Sequence, residues 1–225
     1  FELKLLKAAR RKFLKMEISP KRKFFFNALA EFAAGSQEDG NIMLEFCKLI
    51  KKSNKLHNLT SIRNLEDMLV KHVLDSLSIR NFLAGRSILD VGAGAGLPSI
   101  PLAVICPNKQ FSLLDANNKK VIFLNHVKIN LAIKNISPIH ARIEDFNHET
   151  SFDTVICRSY ASLSKIYINS KKNLKDKGII IAMKGKFPYQ EIEELEALNK
   201  SVSLKVEKLD VPGLEAERHA VIIKK

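Results

Sequence analysis

The residues whose types and spacing could do chemistry lie between positions 90 and 115. Asp90-Val91 leads into Gly92-Ala93-Gly94-Ala95-Gly96-Leu97-Pro98, and Asp115 closes a second apolar run about twenty residues further on. Glycines at alternate positions let the backbone turn tightly and approach a ligand with no Cβ in the way. A helix expected to begin near Leu97 would offer free N–H groups in its first turn. An acid at the end of the next strand is placed to hydrogen-bond ribose hydroxyls. Together these features imply a cofactor that contains a nucleoside. The dinucleotide fingerprint G-x-G-x-x-G would put the third glycine one residue later. An acid at Asp90 would be awkward beside a pyrophosphate. It suits a cofactor with an ammonium, a sulfonium and no phosphate, which is S-adenosylmethionine, leaving S-adenosylhomocysteine as product. NAD and a glycine turn with no ligand are the alternatives.

These residues need elements to hold them. From about residue 85 the sequence alternates between short β-rich runs and helical stretches. The expected strands are 87–91, 111–115, 136–140, 153–157, 178–183, 202–209 and 220–223. Helices are expected over 97–105, 117–131, 162–174 and 189–198. Continuous apolar strands between helices predict an α/β fold with a mostly parallel sheet covered on both faces. The last two strands have no helix-length segment between them, so they are expected to pair as an edge hairpin. Residues 1 to about 80 show only helical periodicity, with apolar residues three, four and seven apart. A further helix is expected from about Met68 to Phe82. The reading is an N-terminal helical region over 1–80 and a Rossmann-like cofactor-binding domain over 81–225.

Composition sets the outer limits. Hydrophobic residues make up 46% of the 225 and charged residues 27%, ordinary for a cored globular chain. No run approaches the ~20 apolar residues that span a bilayer, and the start lacks the apolar stretch of a secretory signal. The chain opens on Phe1 rather than methionine, which reads as a trimmed start. Cys47, Cys106 and Cys157 form no C-x-x-C pair, so neither a zinc site nor a disulfide framework is expected. Cytoplasmic localisation, no membrane partner and a monomer are the expectations. Net charge is +13, and residues 1–23 alone carry nine Lys/Arg against Glu2 and Glu17. Such an arm favours a polyanionic partner, since each neutralised phosphate releases counterions.

The glycine loop with its preceding acid is similar to the first motif of class I S-adenosylmethionine methyltransferases. Further pieces are more specific: Asn54-Lys55, Asn58-Leu59-Thr60-Ser61, His72-x-x-Asp75-Ser76-Leu77, Leu113-Leu114-Asp115, Ala141-Arg142-Ile143-Glu144, Arg158, Lys184-Gly185 and Glu217-Arg218-His219. In order and spacing, from about Asn54 to the C-terminus, the chain resembles the bacterial 16S ribosomal RNA guanine-N7 methyltransferase G family, also called glucose-inhibited division protein B. The resemblance implies methyl transfer to N7 of a guanine in the 530 loop of 16S rRNA, the guanine-527 position, presented in a 30S particle. It also implies cofactor contacts at Gly92, Leu97, Ile143, Glu144 and Arg158, beside Asp90, Gly94, Gly96 and Asp115 read from the loop itself. Ser53 stands where the family usually has Trp, and Cys157-Arg158-Ser159-Tyr160 replaces the usual Ser-Arg-Ala-aromatic or aliphatic run.

Ring N7 of guanine carries an in-plane lone pair and no proton, so transfer to it needs alignment but no general base. Enzymes that methylate exocyclic amines place Asp/Asn-Pro-Pro-aromatic after the fourth strand. Here that position reads Arg158-Ser159-Tyr160-Ala161. No catalytic base is therefore expected, with Arg158 and Tyr160 in positioning roles and Tyr160 the first choice for stacking on the base. Arg63, Lys71, Lys184, Lys186 and Arg218 are candidates for phosphates, with a solvated surface charge as the alternative for each. His72, Asp75 and Ser76 share one helical face. They could close over the cofactor pocket and face substrate, or dock the helical region on the sheet. No metal site is expected. His126, His140 and His148 are read as structural or surface residues. The competing functions are a class I methyltransferase with another substrate, a non-catalytic RNA-binding or assembly factor, and an NAD-dependent oxidoreductase.

Overall fold

The computed structural model describes residues 19–147 and 151–224. Most of the basic arm, the expected helix around Leu3–Leu14 and His148 lie outside the described residues. The described chain begins at Ser19, whose hydroxyl caps helix α1 (Pro20–Ala33) by accepting from Arg22 N–H. Proline at the first helical position lacks only an N–H the helix cannot use. Helix α2 (Gln37–His57) opens on a reciprocal capping box between Ser36 and Asp39 and ends at Asn58, which takes a left-handed conformation with φ 46°.

The next helix, α3, runs over residues 65–77 and is not uniform. An α-turn (Leu65–Met68) passes into a π-helical stretch (Leu69–Leu74) and returns to an α-turn (Asp75–Leu77). The sequence reading put one ordinary helix at 68–82. The structure starts it earlier, widens it in the middle and leaves Arg80–Phe82 as a separate 3-10 turn. π-turns are uncommon and concentrate at functional sites.

Seven strands follow: β1 (Ser87–Val91), β2 (Gln110–Asp115), β3 (Ile136–His140), β4 (Phe152–Arg158), β5 (Leu174–Lys184), β6 (Ser203–Lys208) and β7 (His219–Lys224). The helices between them are α4 (Ser99–Ile105), α5 (Asn118–Asn130), α6 (Leu163–Ser170) and α7 (Tyr189–Leu198). The sheet order is β3-β2-β1-β4-β5-β7-β6. The first five strands are parallel, and β7 pairs antiparallel with both β5 and β6. The expected hairpin is thus present, with β7 inserted inside the edge. β5 begins at Leu174, four residues before the expected Gly178, with a register irregularity against β4. Pro138 sits on β3, the opposite edge, where its missing N–H breaks no ladder.

Successive residues of β1 point to opposite faces. Ile88 joins one core with Phe111, Leu113, Ile100, Leu124 and Phe123, and Leu89 joins the other with Leu114, Val155, Leu163 and Ile180. Phe25, Leu29, Met43, Phe46 and Leu74 belong to the first of these cores. The helices before residue 80 therefore share their apolar interior with the sheet, and this brings α3 over the carboxyl ends of the strands.

Candidate active site

Many of the residues singled out from sequence lie where the parallel strands end. Asp115 closes β2, Arg158 closes β4 and Lys184 closes β5, while His219 opens antiparallel β7 opposite Lys184. In open α/β sheets ligands bind at this carboxyl edge, where strand order reverses. Here the reversal falls at β1/β4.

The glycine loop follows β1 with φ values of +74° at Gly92, +56° at Gly94 and +87° at Gly96. Gly92 and Ala93 N–H donate to the Leu114 carbonyl at 2.9 and 3.0 Å, and Gly94 N–H donates to Asp115 Oδ2 at 2.8 Å. The other Asp115 oxygen accepts from Asn117 N–H at 2.8 Å, and Lys120 Nζ lies 3.8 Å from Oδ2. Asp115 thus anchors the loop as well as facing the cavity.

Three neighbouring cavities line this edge. The first, about 360 Å³, is bounded by Gly92, Asp115, Lys120, Ile143, Glu144 and Tyr160 among others. The second, about 240 Å³, is bounded by Thr60, His72, the glycine loop, Leu97, Lys120 and Arg158. The third, about 220 Å³, is bounded by Asp75, Arg158, Met183, Lys184, Gly185 and Arg218. Ser159 lines all three, in a left-handed conformation with φ 53°.

The candidates divide among these spaces. Ile143 and Glu144 face the first cavity, Leu97 and Gly94 the second, and Gly92 both. Asp90 and Gly96 line none of them. Gly96 is a turn-former: a Cβ there would lie 2.4 Å from Ile100 Cγ1. Replacing Gly96 by alanine is expected to destabilise the fold by about 2–4 kcal/mol, from left-handed strain plus overpacking. Urea denaturation would measure this, and a loss under about 1 kcal/mol would refute it. Tyr160 lies against Gly92, where a Cβ would come within 2.6 Å of its ring. It borders the first cavity and not the third. His72 likewise faces the second cavity.

Asp90 is fully buried beneath the loop, and neither carboxylate oxygen completes a hydrogen bond among the described residues. Burial pushes its pKa up to about 7, opposed by neighbouring Ser99 and, more weakly, Arg158. Arg158 Nη1 is also buried without a partner. A buried carboxylate without a hydrogen-bond partner and the one unpartnered nitrogen of Arg158, beside a loop turned by left-handed glycines, fit a ligand with an amino-acid head and a cationic centre. That is the donor set S-adenosylmethionine would need.

Asp75 is the hub on the other side. Only 1% exposed, it accepts from Arg158 Nη2 at 3.0 Å and from Arg218 Nε at 2.9 Å. Arg158 Nη2 also donates to the Lys71 carbonyl in the π-turn at 3.0 Å. His72 Nε2 lies 2.8 Å from Thr60 Oγ1, which accepts from Ile62 N–H, and His72 Nδ1 lies 3.2 Å from the Lys71 carbonyl. Asn54 clasps Thr60 through both its amide atoms, at 2.8 and 3.0 Å. Burial, then the nearby Arg158 charge, lowers the His72 pKa to about 4, so the ring is neutral at pH 7. These bonds tie the polar face to Thr60 and to the ends of β4 and β7, while His72 also borders the second cavity.

Two phosphate candidates look different in place. Lys184 Nζ is engaged by Glu191 Oε2 at 2.7 Å and by the Ala161 carbonyl at 3.0 Å, an internal ion pair rather than an outward cation. Arg63 is exposed and lines none of the three cavities. Lys120, which sequence reasoning did not single out, borders the first two cavities from the start of α5. Its only signal was its nearness in sequence to Asp115.

Sheet order, glycine loop and carboxyl-edge site together define a class I methyltransferase. The fold is shared with the glycopeptide N-methyltransferase MtfA solved with S-adenosyl-L-methionine, at TM-score 0.57 and 9% identity over 68% of this chain and 86% of that one. It is shared too with precorrin-6y C5,15-methyltransferase from Geobacter metallireducens GS-15, at TM-score 0.52 and 16% identity over 74% and 90%. The family described as rRNA small subunit methyltransferase G matches residues 39–221. Ribosomal RNA small subunit methyltransferase G of Legionella pneumophila subsp. pneumophila (strain Philadelphia 1) is 44% identical over 202 residues, 90% of this chain and 94% of that protein. The protein of that name from Methylococcus capsulatus (strain Bath) is 42% identical over 196 residues, 87% and 93%. The chain belongs to the rRNA small subunit methyltransferase G family.

Proposed function

We propose that this methyltransferase moves the methyl group of S-adenosylmethionine to N7 of a guanine in the 530 loop of 16S rRNA, presented in the 30S subunit, and that it works as a cytoplasmic monomer. No helix among the described residues is long and apolar enough to cross a membrane. The observation that carries the choice of acceptor is the engagement of every titratable group around the third cavity. Asp75 is held by two arginines, and Lys184 by Glu191. His72, on the adjoining wall, is neutral and bonded through both ring nitrogens. Among the described residues no group there is free to remove a proton, and a ring nitrogen has none to lose.

In this reading Ile143, Glu144 and Asp115 hold the nucleoside in the first cavity. The glycine loop and Arg158 hold the amino-acid head in the second, above the buried Asp90 charge. When bound, S-adenosylmethionine supplies a sulfonium methyl ready for in-line displacement. Ser159 and Arg158, shared by the second and third cavities, set where acceptor meets donor. Arg218 contributes positive charge at the outer end, where phosphate would lie.

The test uses radiolabelled S-adenosylmethionine and 30S subunits from a strain lacking the endogenous activity, followed by reduction and aniline cleavage at N7-methylguanine. Label with one new cleavage in the 530 loop is expected. Absence of both would refute the proposal, and label without cleavage would move the target to another atom.

A further inference from the structure

Phe187, in the loop from β5 to α7, and Tyr189, the first residue of α7, are aromatic rings that no part of the site described above uses. Phe187 is 36% exposed and Tyr189 71%, yet their ring centroids are only 4.3 Å apart. The spacing is built by the backbone. Tyr189 N–H donates to the Phe187 carbonyl at 3.2 Å across Pro188, whose φ of −91° and ψ of 62° describe an inverse γ-turn. His219 meets the Phe187 ring edge-on at 5.5 Å and also lies 2.8 Å, through Nδ1, from the Gly185 carbonyl. That second contact pins the loop to the rim of the third cavity, which Gly185 lines with Lys184 and Arg218. Lys186, exposed, stands in sequence between Gly185 at the cavity rim and Phe187.

Phe187 is partly buried against His219, but Tyr189 leaves most of its surface in water, where it adds little to the stability of the fold. Exposed aromatics beside positive charge at a cavity mouth are what a single-stranded nucleic acid uses, because every base offers a π-face to stack. Sequence-specific RNA binding also favours unpaired bases stacked on aromatic side chains.

We propose that Phe187 and Tyr189 form a stacking platform for an unpaired nucleobase of the RNA acceptor, next in the strand to the base that enters the third cavity, with Lys186 on the connecting phosphate. This rests on the reading that the acceptor is RNA. The platform holds the strand outside the donor cavities, so its loss weakens acceptor binding without touching the cofactor.

The experiment has two arms. In the first, methylation of unmodified 30S subunits is followed for wild type, the Phe187→Ala/Tyr189→Ala pair and the Phe187→Leu/Tyr189→Leu pair. Ile129→Ala serves as control, since Ile129 is 77% exposed on α5. The alanine pair is expected to raise KM for subunits by about tenfold. Its kcat and S-adenosylmethionine affinity should stay near wild type, and leucine, which keeps the buried packing of Phe187, should not restore KM. An unchanged KM, or full rescue by leucine, would overturn the platform. In the second arm, Tyr189→Trp places a lone tryptophan in a chain that has none. Its emission is expected to fall as a short single-stranded RNA is titrated in, and steady emission would also end the proposal. If wild type fails to methylate subunits, the functional reading falls, and the fluorescence arm still decides the platform.

Discussion

Replacing Asp75 by alanine is expected to lower the unfolding free energy by about 3–5 kcal/mol, the usual result of removing one partner from a buried ion pair. Asp75 supplies the carboxylate for both Arg158 and Arg218. Without it two guanidiniums face each other behind α3, and Arg158 is the worse placed because its Nη1 already lacks a partner. Arg218 is partly exposed and can swing toward water, which keeps the loss from exceeding that range. Asp75→Asn keeps an acceptor but not the charge and should fall between wild type and alanine. Urea denaturation followed by circular dichroism gives the three values. An alanine loss under about 1 kcal/mol would mean that the arginines do not depend on this carboxylate. Because Asp75, Arg158 and the Lys71 carbonyl link α3 to the end of β4, cofactor affinity should drop as well.

Asp90→Asn is expected to separate stability from binding. Asp90 has its folded pKa raised to about 7 from an ordinary 3.8, so its ionised form is disfavoured in the empty protein. A raised carboxyl contributes stability that is intact below the unfolded value and is lost as pH rises through the folded one. Wild type should therefore lose stability relative to Asp90→Asn between about pH 4 and 7, and the gap should stay constant above that window. Melting curves at pH 5 and pH 8 test this, and a gap that shrank toward pH 8 would contradict it. A cationic ligand near the carboxylate reverses the balance by favouring ionisation. Wild-type affinity for S-adenosylmethionine should then tighten as pH rises through 7, with a proton released on binding. Asp90→Asn should bind about tenfold more weakly at pH 8, with a flat pH response. Calorimetry in two buffers of different ionisation heat would detect the proton.

The parts of the site that could be read from sequence are those that depend on local backbone demands. Gly92, Gly94 and Gly96 all have positive φ, a requirement that leaves its mark directly as glycine. The strands showed for a similar reason, since burial on both faces makes them continuously apolar. Residues whose roles depend on distant partners were legible only as positions. Asp115 stood in the expected place, but its bond to Gly94 N–H needs the loop folded back over β2. Lys184 looked like an outward cation because its partner Glu191 lies on the next helix, which the intervening loop has to turn back. Whether Tyr160 or Tyr189 faces solvent is set by the loop after each strand, not by either residue. The π-turn in α3 was invisible because Leu-Val-Lys-His-Val-Leu has the composition of any buried helix. What distinguishes it is capture of the Lys71 carbonyl by Arg158, 87 positions away.

Ser159 gives the site a size limit. A non-glycine residue held at φ 53° costs on the order of 1–2 kcal/mol, and branching at Cβ would raise that cost. The same residue is the partition common to all three cavities. Backbone strain therefore favours a slim side chain at the very place where bulk would narrow the passage between the cavities. Conformational preference and passage width thus restrict this position in the same direction, toward small side chains that tolerate a left-handed backbone.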